Sequence, residues 1–172
     1  MKVILDTERT YLREFLLKDA EAFYSLNLDP EVIRYTGDAP FSSIAEAEAF
    51  IKAYDQYETN GYGRWAVCLK DTDAFIGFCG LKYHPDEALT EVGFRFYRKY
   101  WNQGFATETA KACIEFGFNE FELPAIYAHA DRENLGSIRV LEKCGLSFVK
   151  PIEYDGQLAN LYCLKREDHE TN

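Results

Sequence analysis

Residues 97–108 read Tyr-Arg-Lys-Tyr-Trp-Asn-Gln-Gly-Phe-Ala-Thr-Glu. A strand pattern ends there, a polar turn follows, and a helical pattern opens at Gly104. The first N–H groups of a helix have no partner inside it and lie at the positive end of its dipole, an arrangement that suits a pyrophosphate. Gly104 has no side chain to hold a ligand away, Ala106 keeps the surface small, and Arg98 and Lys99 add positive charge nearby. A second segment, Asn134-Leu135-Gly136-Ser137, opens another short helix. Asn134 suits the N-cap and Ser137 the third helical position, while Lys143 complements the negative end of that dipole. Capping alone accounts for this pair as well as a ligand would.

The elements that must position these residues follow from periodicity. Strands are expected at 11–15, 65–69, 75–83, 90–96, 125–130, 147–150 and 158–165. A helix is expected at 18–26, and a second begins at Ser43-Ile44-Ala45-Glu46, a capping box. Ala106, Ala110, Cys113, Ile114, Gly117 and Phe118 recur on one face of a third helix at 105–119. A fourth helix ends at Gly145, a suitable C′ glycine. In the 90–96 strand, Val92, Phe94 and Phe96 share one face, and Glu91, Gly93 and Arg95 the other. Gly93 predicts a bulge or a close backbone approach. The order β-α-α-β-β-β-α-β-α-β-β is α/β or α+β, with a mixed central sheet of about seven strands and about four helices.

The chain has 172 residues, enough for one ordinary domain spanning 1–172, with about five loose residues after Arg166. Hydrophobic residues at 47% and aromatics at 16% exclude intrinsic disorder. A net charge of −10 argues against a nucleic-acid binder, whose affinity rests on neutralising phosphates. It is compatible with a cationic substrate, or with solubility alone. Cys68, Cys79, Cys113, Cys144 and Cys163 have no C-x-x-C spacing, so no metal site is expected, and free thiols fit a reducing cytosol. Residues 1–9 lack the apolar stretch of a secretion signal, and no apolar run reaches the roughly 20 residues of a membrane span. The expectation is a soluble cytoplasmic protein.

Together the two loop segments, with Leu12-Arg13, Glu91-Val92-Gly93-Phe94 and Leu141-Glu142-Lys143-x-Gly145, resemble the GNAT superfamily of acyl-CoA-dependent N-acetyltransferases. Within it the chain is most similar to the RimJ/RimL-type ribosomal-protein N-terminal acetyltransferases. Two positions depart from the broader pattern: Trp101 stands where Gln or Arg is usual, and Leu141 where many members carry an acidic tyrosine. Both departures are usual in the RimJ/RimL-type branch.

The resemblance implies acetyl-CoA as cosubstrate, laid in a V between the fourth and fifth strands, 90–96 and 125–130. It implies backbone contacts at Phe94 and Phe96, with the bulge at Gly93 freeing an N–H for the thioester carbonyl. Gln103, Gly104, Phe105, Ala106 and Thr107 would hold the pyrophosphate. Asn134 would meet the pantetheine arm, and Ser137 would meet the same arm and protonate the departing thiolate. Glu91 is the first candidate base for the acceptor amine and Glu108 the second. Tyr35, Trp65 and Tyr83 could line an acceptor slot. His129 is read as a satisfied core or rim histidine, and His84 and His169 are given no role. The implied acceptor is a protein N-terminal α-amine. The alternatives are a small amine (polyamine, amino sugar or antibiotic) or CoA binding without turnover.

Overall fold

A computed structural model describes residues 2–154 and 156–170. Its frame is one eight-stranded sheet: β1 (Val3–Asp6), β2 (Thr10–Arg13), β3 (Arg64–Leu69), β4 (Phe75–His84), β5 (Leu89–Phe96), β6 (Ala125–Asp131), β7 (Ser147–Tyr154) and β8 (Gln157–Lys165). They lie in the order β1-β2-β3-β4-β5-β6-β8-β7. Every pairing is antiparallel except β5 with β6. The sequence reading missed β1, a four-residue edge strand too short to show a period. The pair expected as fourth and fifth strands is therefore β5 and β6.

Four helices have nine residues or more: α1 (Ala20–Leu28), α3 (Ile44–Ala53), α5 (Phe105–Phe121) and α6 (Leu135–Lys143). Short helices α2 (Pro30–Ile33), α4 (Gln56–Asn60) and α7 (Arg166–Glu170) complete the described elements. Residues 167–170 are thus not loose: α7 continues from β8, and the His169 ring lies 5.0 Å from that of Phe118. Thr171 and Asn172 lie outside the described residues.

Each face of the sheet carries its own core. Under α5 and α6, Trp65, Val67, Leu81, Val92, Cys113, Ile114, Phe118, Ile126 and Leu141 are buried together. Leu141 is therefore a packing residue. On the other face, α1, α2 and α3 pack Phe23, Leu26, Val32, Ala47 and Ile51 with Phe15, Ala66 and Phe78. An ion pair anchors this second layer: Arg13 donates from both Nη atoms to the two oxygens of Asp19, each at 2.8 Å, and both residues are buried. Asp19 Oδ2 also accepts the Leu16 N–H at 2.8 Å. The hydrogen bonds to Asp19 raise the Arg13 guanidinium above its ordinary value, so its charge is permanent.

Candidate active site

β5 pairs with β4 at eight positions, from Gly77↔Phe96 to His84↔Leu89, without a register shift. With β6 it shares a single pair, Glu91↔Tyr127. No later residue of β5 is paired with β6, so the ladder between them ends there. The Tyr97 N–H donates to the Ile76 carbonyl on the β4 side. Strand alternation therefore turns the backbone groups of Phe94 and Phe96 toward β6, across the opening. The Trp101 indole donates to the Phe96 carbonyl at 2.9 Å, so Trp101 closes one of these groups. Gly93 makes no bulge, contrary to expectation. It sits in register with Gly80, and a Cβ built on it would lie 2.5 Å from Nη2 of Arg64. Its lack of a side chain makes room for a guanidinium.

That guanidinium spans three strands. Arg64 is paired with Gly80, and Gly80 with Gly93, so the side chain crosses two positions that carry none. Its Nη1 donates to the carbonyls of Gly80 (2.9 Å) and Glu91 (3.0 Å), and its Nη2 to Glu91 Oε1 (2.8 Å). Tyr54, just past α3, and Tyr57, on α4, hold its backbone. The Arg64 N–H donates to the Tyr54 hydroxyl at 2.7 Å, and the Tyr57 hydroxyl donates to its carbonyl.

Glu91 is buried, at 6% exposure, and collects two histidines besides Arg64. His84 Nε2 lies 3.3 Å from its Oε1, and His129 Nδ1 contacts its Oε2. Burial pushes the carboxyl up. The hydrogen bonds from His129 and His84 and the charge of Arg64 outweigh that and hold it well below the ordinary carboxylate value. A carboxylate so firmly ionised is a poor proton acceptor. The role of first base expected for Glu91 does not suit this environment; holding the imidazoles does. The two histidines and Arg64 escaped the sequence reading of the site. The available signal was alternation in β6, which puts His129 on the face opposite buried Ile126, Ala128 and Ala130.

At the open end of the V, Gly104 is the N-cap of α5 with φ +86°. The chain turns there into a helix whose first intrahelical bond is Glu108 N–H to Gly104 carbonyl at 3.0 Å. The N–H groups of Phe105, Ala106 and Thr107 precede that bond and have no partner within the helix. Gln103 and Gly104 are exposed, whereas the Phe105 ring is buried, so Phe105 can offer only its backbone. Gln103 donates to the Lys99 carbonyl at 2.7 Å. Arg98 is held by Asp29 at 2.6 Å. The positive group beside Gly104 is instead Arg9, whose Nη2 lies 3.3 Å from a Cβ built there and whose guanidinium covers the Phe105 ring at 4.0 Å. Glu108 holds Arg9 in place. Burial raises the Glu108 carboxyl, but bonds from Thr7 and Arg9 outweigh it and keep it below its ordinary value, so Glu108 serves the scaffold.

Asn134 caps α6, its Oδ1 accepting the Ser137 N–H at 3.2 Å. The Ser137 side chain is half-buried. Trp65 does not line a slot: it is 1% exposed and meets the Phe116 ring edge-on at 5.4 Å. Tyr83 lines a cavity with Tyr62, Thr90 and Tyr127, beside the first residues of β5 and β6. Tyr35 is half-buried, with the Arg34 guanidinium over its ring. No group of metal ligands occurs among the described residues, and no described helix is long and apolar enough to cross a membrane.

The family described as Acetyltransferase (GNAT) domain matches residues 9–147. This chain belongs to the GNAT acetyltransferases. It is 34% identical to the N-acetyltransferase p20 of Bacillus licheniformis, over 95% of this chain and 97% of that one. The crystal structure of a GNAT-family acetyltransferase from Bacillus anthracis superposes with a TM-score of 0.82 at 27% identity, covering 95% and 98% of the two chains. The spermidine N-acetyltransferase of Vibrio cholerae, solved with CoA and spermine, shares the fold with a TM-score of 0.78 at 19% identity, over 94% and 98%. The mixed sheet parted at its one parallel junction is thus the GNAT fold, and the chain is an N-acetyltransferase of that family.

Proposed function

We propose that the whole chain, 1–172, is one domain that transfers acetyl from acetyl-CoA to a protein N-terminal α-amine, as RimJ/RimL-type enzymes do, in the cytoplasm. The observation that carries the cosubstrate is the single pair Glu91↔Tyr127 between β5 and β6. Past it, the backbone of Phe94 and the N–H of Phe96 offer the hydrogen bonds that a pantetheine amide chain needs. The fit extends to the open end, where Gly104 and the amides of Phe105, Ala106 and Thr107 suit a pyrophosphate, with exposed Gln103 beside them. Asn134, the N-cap of α6, and Ser137 in its first turn follow directly after β6. The thioester supplies an activated acyl group. The protein supplies alignment of the two reactants, and the Ser137 hydroxyl is the proposed proton donor to the leaving sulfur.

An α-amine at a chain end fits the acceptor side because that side is open. β7 is exposed along most of its length, as are residues 37–40. A polyamine is the second reading, supported by 25% identity to the spermidine N(1)-acetyltransferase of Escherichia coli and by the net charge of −10. Titration with acetyl-CoA, followed by thiol release on adding N-terminal ribosomal-protein peptides, spermidine or amino sugars, tests both. Release with peptides alone supports the first reading and release with spermidine alone the second. Binding without release returns the chain to a CoA-binding module, and no binding by folded protein removes the cosubstrate.

A further inference from the structure

We infer that His129 is the group that takes the proton from the acceptor amine, and that Glu91 is its positioning residue. The inference rests on the acetyl-transfer reading above and adds to it the identity of the base.

The geometry points to His129 for three reasons. First, it stands where the amine must come. Tyr127 is the last β6 residue paired with β5, and His129 lies two residues further into the opening on the same face, about 6–7 Å along the strand. Continued in parallel, that register would set it opposite Gly93.

Second, its two ring nitrogens are already distinguished. Nδ1 is committed to Glu91 Oε2, and Glu91 is held ionised by Arg64 and His84. A carboxylate at Nδ1 keeps the proton there and leaves the lone pair on Nε2. Third, that nitrogen is accessible. Among the described residues, the only side-chain nitrogen or oxygen sealed from solvent without a partner is Arg13 Nε. Among the described residues His129 Nε2 has no hydrogen-bond partner and is not sealed from solvent, and the side chain as a whole is 24% exposed. The Tyr154 ring, 4.0 Å away, covers one face of the imidazole and restricts its rotation.

The step balances as follows. The Nε2 lone pair takes one proton from the incoming ammonium and leaves a neutral amine. The amine nitrogen forms the C–N bond to the thioester carbon, and the C–S bond breaks with its electron pair on sulfur. The Ser137 hydroxyl gives that thiolate its proton and takes the surplus proton from nitrogen in return. The imidazolium then returns its proton to solvent.

The groups facing His129 are Glu91 from β5, with Arg64 from β3 and His84 from β4 behind that carboxylate, and Tyr154 from β7. On β8 the opposed residue is Leu161, which carries no charge. Tyr127 and Asp131 share its face of β6.

The test uses the full chain with acetyl-CoA and either an N-terminal peptide or spermidine. His129→Gln should bind acetyl-CoA within about twofold of the parent, which also reports folding. Its kcat/KM should fall about 100-fold or more, the usual contribution of a general base. The acid limb of the parent's pH profile should vanish, leaving a rate that climbs with the neutral fraction of the amine. Free imidazole should restore part of the rate to His129→Ala. Glu91→Gln should lower kcat while acetyl-CoA affinity stays within about twofold of the parent, and Glu91→Asp should recover part of that rate.

A His129→Gln rate within threefold of the parent, with the same acid limb, overturns the inference and leaves acetyl transfer standing. A parent protein that binds acetyl-CoA but releases no thiol with either acceptor overturns the inference as well. A parent that does not bind acetyl-CoA overturns the functional reading and the inference with it.

Discussion

Glu108 grips Arg9 at two points: Oε1 accepts from the Arg9 Nε at 2.8 Å and Oε2 from the Arg9 backbone N–H at 3.0 Å. One carboxylate thus ties the turn between β1 and β2 to the first turn of α5. Oε2 also accepts from the Thr7 hydroxyl at 2.7 Å. Glu108→Ala removes all three bonds from a partly exposed site, and stability should fall by about 1–2 kcal/mol. Urea denaturation measures it; an unchanged midpoint would show that solvent replaces the carboxylate at no cost.

Gly104→Asp should weaken acetyl-CoA binding at least tenfold. The new carboxylate would repel phosphates and draw off Arg9, whose Nη2 lies 3.3 Å from the added Cβ. Calorimetric titration of folded variant reads this directly. Parent-like affinity would remove the α5 N-terminus from the binding site.

Gly93→Ala should disrupt the site more than its size suggests. The methyl group would meet Arg64 at 2.5 Å, and the guanidinium would have to leave Glu91. Glu91 would then be buried with its permanent countercharge displaced, at a cost of several kcal/mol. A lower thermal midpoint, together with a raised Glu91 titration seen by carboxyl-labelled NMR, is the expected pair of results. A parent-like titration would mean that the strand moves and the ion pair stays.

The depressed Glu91 carboxyl makes part of the stability pH-dependent. A group whose folded value lies below its unfolded one stabilises fully above the unfolded value, 4.5 here, and loses that contribution as pH falls through the folded value. Glu91→Gln should therefore be about 3–5 kcal/mol less stable than the parent near neutrality. The gap should narrow steadily below pH 4.5. A gap that stays constant down to acid pH would mean that Glu91 is not held ionised.

Four of the five cysteines are buried, and Cys163 is half-buried. Burial pushes the Cys144 thiol up to about 12 and raises those of Cys68 and Cys113. An aromatic disulfide reagent should label at most Cys163 rapidly in native protein and all five once urea unfolds it. Fast native labelling of more than one thiol would contradict this packing.

What the sequence made legible was local. The helix at 105–119, its glycine start and the Asn134 cap depend on neighbours a few residues apart, and they appear where periodicity put them, with α5 running on to Phe121. Pairings between distant segments were not legible. Gly93 was visible as an odd strand residue, but its purpose depends on Arg64 being aligned with Gly80, which is a matter of register. His84 and His129 looked unremarkable because they meet one carboxylate only through register on both sides of β5, Lys82↔Glu91 with β4 and Glu91↔Tyr127 with β6. Trp65 fell on a strand as expected, yet alternation cannot say which face is core, and it was placed in a slot when it belongs under α5.

The parting of β5 and β6 also changes what a central strand is. Phe94 lies five strands into an eight-stranded sheet, where amide protons ordinarily exchange only on global unfolding. Its N–H nevertheless faces an opening, so it should exchange like that of a border strand. Such borders usually invite pairing with other chains. Here the border is internal, flanked by β6 rather than by solvent alone. The fold thus carries a strand margin inside its own sheet, between two neighbours instead of at the rim.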